Sequence, residues 1–200
     1  MSLARVRLVL WGLIIIIGIG ATLYTLYQQT QPKSSASVQF GGDFTMQNAA
    51  GGEFTQANFV GKPTMLFFGY TFCPDVCPTT LYEATTWRNE LNLTGEDVQI
   101  VFMSVDPKRD TAEALSDYLG SFGDDLIGLT GTEEQVNATK KTFGILGEIV
   151  NTDGASDYLI NHTATLFLLD DKGHLFGTVG YGEAKDSAMA KVKRLMGING

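Results

Sequence analysis

Two hundred residues fit one domain plus an appendage. Acidic side chains dominate, with 22 Asp and Glu against 14 Lys and Arg. No basic patch or run occurs, which makes nucleic acid a poor partner, and the excess negative charge reads first as solubility.

In chain order, the first feature is Leu8–Tyr27, an almost unbroken apolar run. About 20 apolar residues rising 1.5 Å each span a bilayer core of roughly 30 Å. Arg5 and Arg7 precede the run, while only a lone Lys33 follows closely, so the positive flank places the N-terminus in the cytoplasm. A cleavable signal peptide would have a shorter apolar region with a small-residue cleavage site soon after it. Here a polar Tyr/Gln stretch without an A-x-A pattern follows, which favours an uncleaved anchor. The absence of an Arg/Ser-rich amphipathic lead favours a bacterial inner membrane over a mitochondrial presequence. The expected organisation is a cytoplasmic stub and transmembrane anchor over 1–28, a polar linker over 29–41, and a periplasmic domain over 42–200. The anchor region carries two of the 14 basic residues and none of the 22 acidic ones, so the acidity belongs to the exported part.

Within that domain, Phe44–Gln47 and Gly51–Phe54 predict a short hairpin, and Met65–Tyr70 a buried central strand. Thr79–Leu91 has helical period through Leu81, Ala84, Thr85, Arg88 and Leu91, with Thr79 or Thr80 as cap and Pro78 in the first turn. Val98–Val105 predicts a second buried strand, Thr111–Ser121 a helix capped by Thr111, and Leu126–Thr130 a short strand. Thr132 and Gln135 form a capping-box pattern for a helix ending near Phe143. Ile145–Asn151 predicts a strand, and Thr165–Leu169 with Leu175–Val179 a hairpin around Asp170-Asp171-Lys172-Gly173. A helix over Lys185–Met196 closes the chain. The order β-α-β-α-β-α-β-β-α predicts an α/β fold, a thioredoxin-like mixed sheet flanked by helices.

Chemistry concentrates at Cys73-Pro74-Asp75-Val76-Cys77, where a strand hands over to a helix. These are the chain's two cysteines. A disulfide across so small a loop constrains the unfolded chain little, so a purely structural bridge is the weaker reading. At a helix N-terminus the positive dipole end favours thiolate, and paired low-pKa thiols serve disulfide exchange or metal binding. The C-x-x-x-C spacing departs from the C-x-x-C of a thioredoxin catalyst, and Asn161-His162-Thr163-Ala164-Thr165 lacks the Pro expected opposite such a motif. Both departures weaken general dithiol catalysis. Of two histidines, His174 lies in a hairpin turn and reads as solvated, whereas His162 precedes a buried strand beside the redox loop. Two sulfurs and one imidazole make a soft three-ligand site suited to copper or zinc, and structural zinc normally takes four ligands. Asp75, Asp106 and Met103 are possible neighbours that read more simply as surface and core. N-x-S/T matches at Asn92, Asn137 and Asn161 read as chance.

Three stretches together resemble the Sco/SenC family of membrane-tethered copper proteins. They are Phe68–Pro78, Ser104-Val105-Asp106-Pro107-Lys108-Arg109-Asp110-Thr111, and His162 ahead of Leu166–Asp170. The resemblance covers about residues 40–197 and the anchor. It implies that Cys73, Cys77 and His162 bind one copper ion. It also implies a role in delivering copper to, or reducing the thiols of, the binuclear copper site in cytochrome c oxidase subunit II. A further partner is implied, a thiol reductase or copper donor that the residues do not identify. The family often has Asp before the ligand His and Ser after it, and here these are Asn161 and Thr163. The leading reading is a copper metallochaperone. The alternative is a thiol-disulfide oxidoreductase that keeps a client's cysteines reduced, in which Cys73 and Cys77 would be the redox pair. A copper or redox sensor ranks last, since no second signalling domain is present.

Overall fold

A run of apolar residues over Thr64–Gly69 forms a strand in which every residue is buried. Such a strand needs a partner on each edge and cover on both faces, and the rest of the domain supplies them. A computed structural model describes Arg7, Trp11, Gly12, Gly18, Gly20, Thr22 and residues 40–150 and 158–198. The elements are β1 (Thr45–Asn48), β2 (Glu53–Thr55), a 3-10 turn (Gln56–Phe59), β3 (Thr64–Gly69), α1 (Val76–Glu90) and β4 (Gln99–Ser104). They continue with α2 (Ala112–Gly120), β5 (Ile127–Thr130), α3 (Glu133–Phe143), β6 (Gly147–Val150), β7 (Leu159–His162), β8 (Thr165–Leu169), β9 (Leu175–Gly180) and α4 (Lys185–Leu195). All lie in the compact unit Val38–Gly200.

Seven strands form one sheet in the order β2-β1-β5-β4-β3-β8-β9. β3 pairs parallel with β4 and antiparallel with β8, so the expected mixed sheet is present. The thioredoxin-like α/β architecture flanked by helices stands. Its core runs through Leu66, Phe67 and Phe68 of β3, Ile100, Val101 and Phe102 of β4, and Leu81 and Ala84 of α1, all fully buried. Thr111 caps α2 and the Thr132/Gln135 capping box opens α3, as their spacing predicts. Gly144 ends α3 at φ 66, the left-handed conformation that glycine reaches without steric cost.

Two expectations need correction. Helix α1 begins at Val76, three residues before the predicted start, and neither Thr79 nor Thr80 caps it. Pro78 falls at the third helical position, still in the first turn where no backbone donor is missed. The segment carrying His162 is a strand of its own. β7 pairs antiparallel with β6, His162 opposite Gly147, in a separate two-stranded sheet. The anchor predicted for Leu8–Tyr27 falls almost wholly outside the described residues. Among the described residues no helix is long and apolar enough to cross a membrane.

Candidate metal centre

Cys73, Cys77 and His162 meet at the end of β3. Their potential ligand atoms all lie within 4.8 Å of one another, although 85 residues separate Cys77 from His162. The chain brings them together from two directions. Strand β3 ends at Gly69, the loop turns back with Cys73 N–H donating to the Tyr70 carbonyl, and α1 then carries Cys77 in its first turn. From the other side β7 delivers His162 as its last residue, with Nε2 3.4 Å from Cys77 Sγ.

The start of α1 explains the sulfur chemistry. Asp75 occupies the N-cap position but makes no side-chain cap bond. Its carboxylate instead accepts from Tyr181 Oη at 3.1 Å. The Cys73 sulfur accepts from the Cys77 N–H at 3.4 Å, so a cysteine does the work of a cap. Cys73, half-buried, is held down to about 3, chiefly by the Cys77 thiol that hydrogen-bonds to it. The imidazole and the N–H groups of Asp75 and Cys77 add to that effect, and burial opposes it. Cys77 is fully buried and its thiol is pushed up, first by burial and then by its bond to Cys73. The two sulfurs are thus differentiated: the half-buried Cys73 gives up its proton more readily, and the buried Cys77 keeps its own. Both are free thiols.

His162 has a defined orientation. Its Nδ1 lies 3.2 Å from the Thr163 carbonyl, which can only accept, so Nδ1–H donates there and Nε2 is the ring nitrogen turned towards the sulfurs. The ring is wedged edge-on against Tyr70 and Phe67, with centroids 5.7 and 5.9 Å away. The two buried aromatics leave the imidazole little room to turn. A soft, borderline-charged donor set of two sulfurs and one imidazole fits copper. Among the described residues no fourth His, Cys, Asp or Glu joins the group, which disfavours closed structural zinc. A cavity of about 340 Å³ opens over Cys73 and His162, walled by Tyr70, Pro74, Val150 and Leu159.

The other weighed residues lie elsewhere. Asp106 is buried, paired with Arg109, and accepts from Tyr158 Oη at 2.6 Å. Met103 is a core residue of β4. His174 sits in the β8–β9 turn beside Asp170. Several supporting residues show nothing of their role in the sequence. Tyr70 Oη accepts from Ile160 N–H at 3.2 Å, tying the Cys loop to β7. Asp110 accepts from the Thr71 hydroxyl at 2.7 Å and from the Ser104 hydroxyl at 2.6 Å, anchoring the start of that loop to the end of β4. The motif Ser104–Thr111 marks these positions, but only the fold reveals what they hold.

Fold and site together define a thioredoxin-like domain whose paired cysteines face a histidine, with the donor set of a soft-metal protein. Residues 32–197 match the SCO1/SenC family. The chain belongs to that family. It is 34% identical over 163 residues to Protein SCO2, mitochondrial, of Saccharomyces cerevisiae, a match covering 80% of this chain and 54% of that protein. The chain therefore spans about half the length of this yeast relative. Among solved structures, Arabidopsis thaliana ScoI with copper bound superposes with a TM-score of 0.73 at 31% identity, covering 80% of this chain and 99% of that one. Bradyrhizobium japonicum ScoI with copper bound gives 0.71 at 35% identity, covering 78% and 99%.

Proposed function

We propose that this protein is a copper metallochaperone that assists assembly of the binuclear copper site of cytochrome c oxidase, with Cys73, Cys77 and His162 as the copper ligands. The observation that carries the reading is the convergence of these three donors, and no further His, Cys, Asp or Glu among the described residues, within 4.8 Å. The copper-bound relatives support the choice of metal. Copper is cargo here. Cys73 is the more accessible of the two sulfurs and the readier to ionise, so it meets the ion first. Cys77 must give up its proton as it binds, so loading releases a proton and weakens as pH falls. The open side of the site, above Cys73 and His162, admits an incoming thiolate of the client, which displaces the ligands in turn. A Cys73–Cys77 disulfide could not bind, so redox state gates loading. The layout of the chain follows the same reading: anchor over 1–28 in a bacterial inner membrane, linker over 29–41, and the domain over 42–200 in the periplasm. The client is the copper-site domain of oxidase subunit II, and a thiol reductase or copper donor supplies the protein.

One observation favours the alternative thiol-disulfide oxidoreductase role. A more accessible, more readily ionised Cys73 backed by a buried protonated Cys77 is the arrangement of a nucleophile and a resolving thiol. The two roles part at His162. In the full chain, reduced, Cu(I) is titrated against a chelator for the wild type, His162→Ala and the Cys73→Ser/Cys77→Ser double variant. One copper per wild-type chain, weaker binding by His162→Ala and none by the double variant are expected. Less than stoichiometric wild-type binding refutes the chaperone. Unchanged affinity in His162→Ala, with client-thiol reduction retained, moves the function to the oxidoreductase.

A further inference from the structure

Strand β7 has a mechanical problem. It carries a metal ligand, yet among the described residues it pairs with β6 alone, and that two-stranded sheet is separate from the seven-stranded sheet whose strand β3 leads into the Cys loop. The β3–β8 ladder holds Leu166, four residues past His162, beside Phe67, so it fixes where β7 is tethered, and side chains must set how closely the rest of the strand lies against the Cys loop. The bond from Ile160 N–H to Tyr70 Oη is one link. A larger one is built around Arg109.

The guanidinium carbon of Arg109 lies 3.7 Å from the ring centroid of Tyr158, the residue immediately before β7. It lies 4.7 Å from the ring of Phe72, immediately before Cys73, and 5.6 Å from that of Tyr70. Its Nε donates to Asp106, and the other carboxylate oxygen of Asp106 accepts from Tyr158 Oη at 2.6 Å. Asp106 is 2% exposed and Arg109 14%. One cation thus joins three segments: the loop before Cys73, the Asp106–Asp110 turn that the β3–β4 ladder already holds beside that loop, and the approach to β7, which belongs to the separate two-stranded sheet. The planar guanidinium stacks on aromatic faces while donating in its own plane, which an ammonium cannot do.

We infer that Arg109 is a positioning residue for the metal centre: through Tyr158 and Phe72 it clamps the strand bearing His162 against the cysteine loop and so sets the imidazole-to-thiol distance. It does not touch the ligand atoms. The inference rests on the copper-binding reading above and adds to it the device that assembles the site.

The test uses the reduced full chain and two readouts: Cu(I) affinity by competition with bathocuproine disulfonate, and amide hydrogen exchange at Ile160, Asn161 and His162. Arg109→Lys keeps the charge beside Asp106 but loses the planar stack, and Arg109→Gln loses both. Each is expected to weaken Cu(I) binding by about 10-fold or more, the size seen when groups that orient metal ligands are removed, and to speed β7 exchange. Tyr158→Leu should do the same, and the Arg109→Gln/Tyr158→Leu double variant should be no worse than the weaker single, because both cut one link. Lys108→Gln, whose charge only meets exposed Glu133 at 3.7 Å, should match the wild type. Wild-type affinity and β7 protection in Arg109→Lys, or additive losses in the double variant, overturn the clamp. Arg109→Lys carries the test if Arg109→Gln does not fold. If the wild type takes up no copper, the proposed function fails, while the exchange rates still decide whether Arg109 holds β7.

Discussion

Gly69 ends β3 and begins the Cys loop, and it has no room for a side chain. A Cβ at this position would lie 2.8 Å from Cys77 Sγ and 2.8 and 3.0 Å from two ring atoms of Phe102. Favourable carbon contacts lie at about 3.5–4.0 Å, so Gly69→Ala is too close by roughly 0.7–1.2 Å. The backbone cannot back away. The Gly69 carbonyl accepts from Val105 N–H at 2.8 Å, and β3 is paired on both edges. Phe102 is fully buried and packs against Phe67 and Tyr118. The lone sulfur is the easier group to move, and turning it away lengthens its 3.4 Å separation from His162 Nε2. Overpacking of this kind costs about 1–3 kcal/mol. For a chain of this size that lowers Tm by roughly 2–12 °C. Gly69→Ala is therefore expected to lose both stability in urea and Cu(I) affinity. Gly177→Ala in β9, where nothing lies within 4 Å, is the matched control and should stay within about 0.5 kcal/mol of wild type. A Gly69→Ala protein as stable as that control, binding copper with wild-type affinity, would refute the close-packing argument.

Cys73, held to about 3, should react with iodoacetamide at a rate nearly flat from pH 4 to 8 and falling only towards the acid limit, while Cys77 stays unlabelled. A rate climbing about tenfold per pH unit up to an ordinary thiol pKa near 8.5 would show that Cys73 is no thiolate. Asp110 is fully buried and its carboxyl is raised above 3.8, first by burial. A raised acid binds its proton more tightly folded than unfolded, so it contributes stability that fades as pH rises from about 3.8 through the folded value. The wild-type minus Asp110→Asn stability difference should therefore decline over that window, and chemical denaturation at several pH values that gave a flat or rising difference would contradict the assignment. Arg88 is 6% exposed, donates to Asp125 at 2.6 Å, and has two buried guanidinium nitrogens with no partner. Replacing a buried charge by an apolar residue of similar length is often neutral, whereas stripping its partner strands it. In urea Arg88→Met should thus be more stable than Asp125→Asn, and the opposite order would count against this reading.

How much of this was legible depended on how local the cause was. Strands β3 and β4 are unbroken apolar runs, and α2 and α3 carry their own caps, so each could be read from a few neighbouring residues. The start of α1 could not. Its first turn is Val76-Cys77-Pro78, a poor helical signal, and the group that satisfies its free N–H is a sulfur outside the helix. Strand β7 has only four residues with one of them, Ile160, fully turned inward, too short an alternation to announce a strand, and its partner β6 is mostly exposed. The three site residues were legible because Cys and His are scarce in this chain. Tyr70, Arg109 and Tyr158 were not, because a ring or a guanidinium reads the same in a core, a surface or a clamp until the chain has folded.

The departures at Asn161 and Thr163 show why a motif has to be weighed on its contacts. Replacing Asp by Asn just before the ligand histidine removes a charge that could have oriented the imidazole. In this chain the orientation comes from elsewhere. Nδ1 of His162 is engaged by the Thr163 carbonyl, a backbone group that any residue supplies, and the ring is fixed by Tyr70 and Phe67. Asn161 is exposed, lies opposite Glu148 on β6, and stands at the rim of the cavity over Cys73 and His162. Thr163 keeps the hydroxyl that Ser would have offered, and uses it to accept the Leu146 N–H at 3.2 Å, closing the hairpin at the end that carries His162. The Thr163 hydroxyl therefore has a partner within the hairpin, and Asn161 alters charge at the exposed rim of the site. Asn161→Asp should leave Cu(I) affinity within about twofold, well short of the 10–100-fold typical of groups that orient a metal ligand, while changing the rate at which copper passes to a client. A tenfold gain in affinity would show instead that the lost carboxylate belongs to the site.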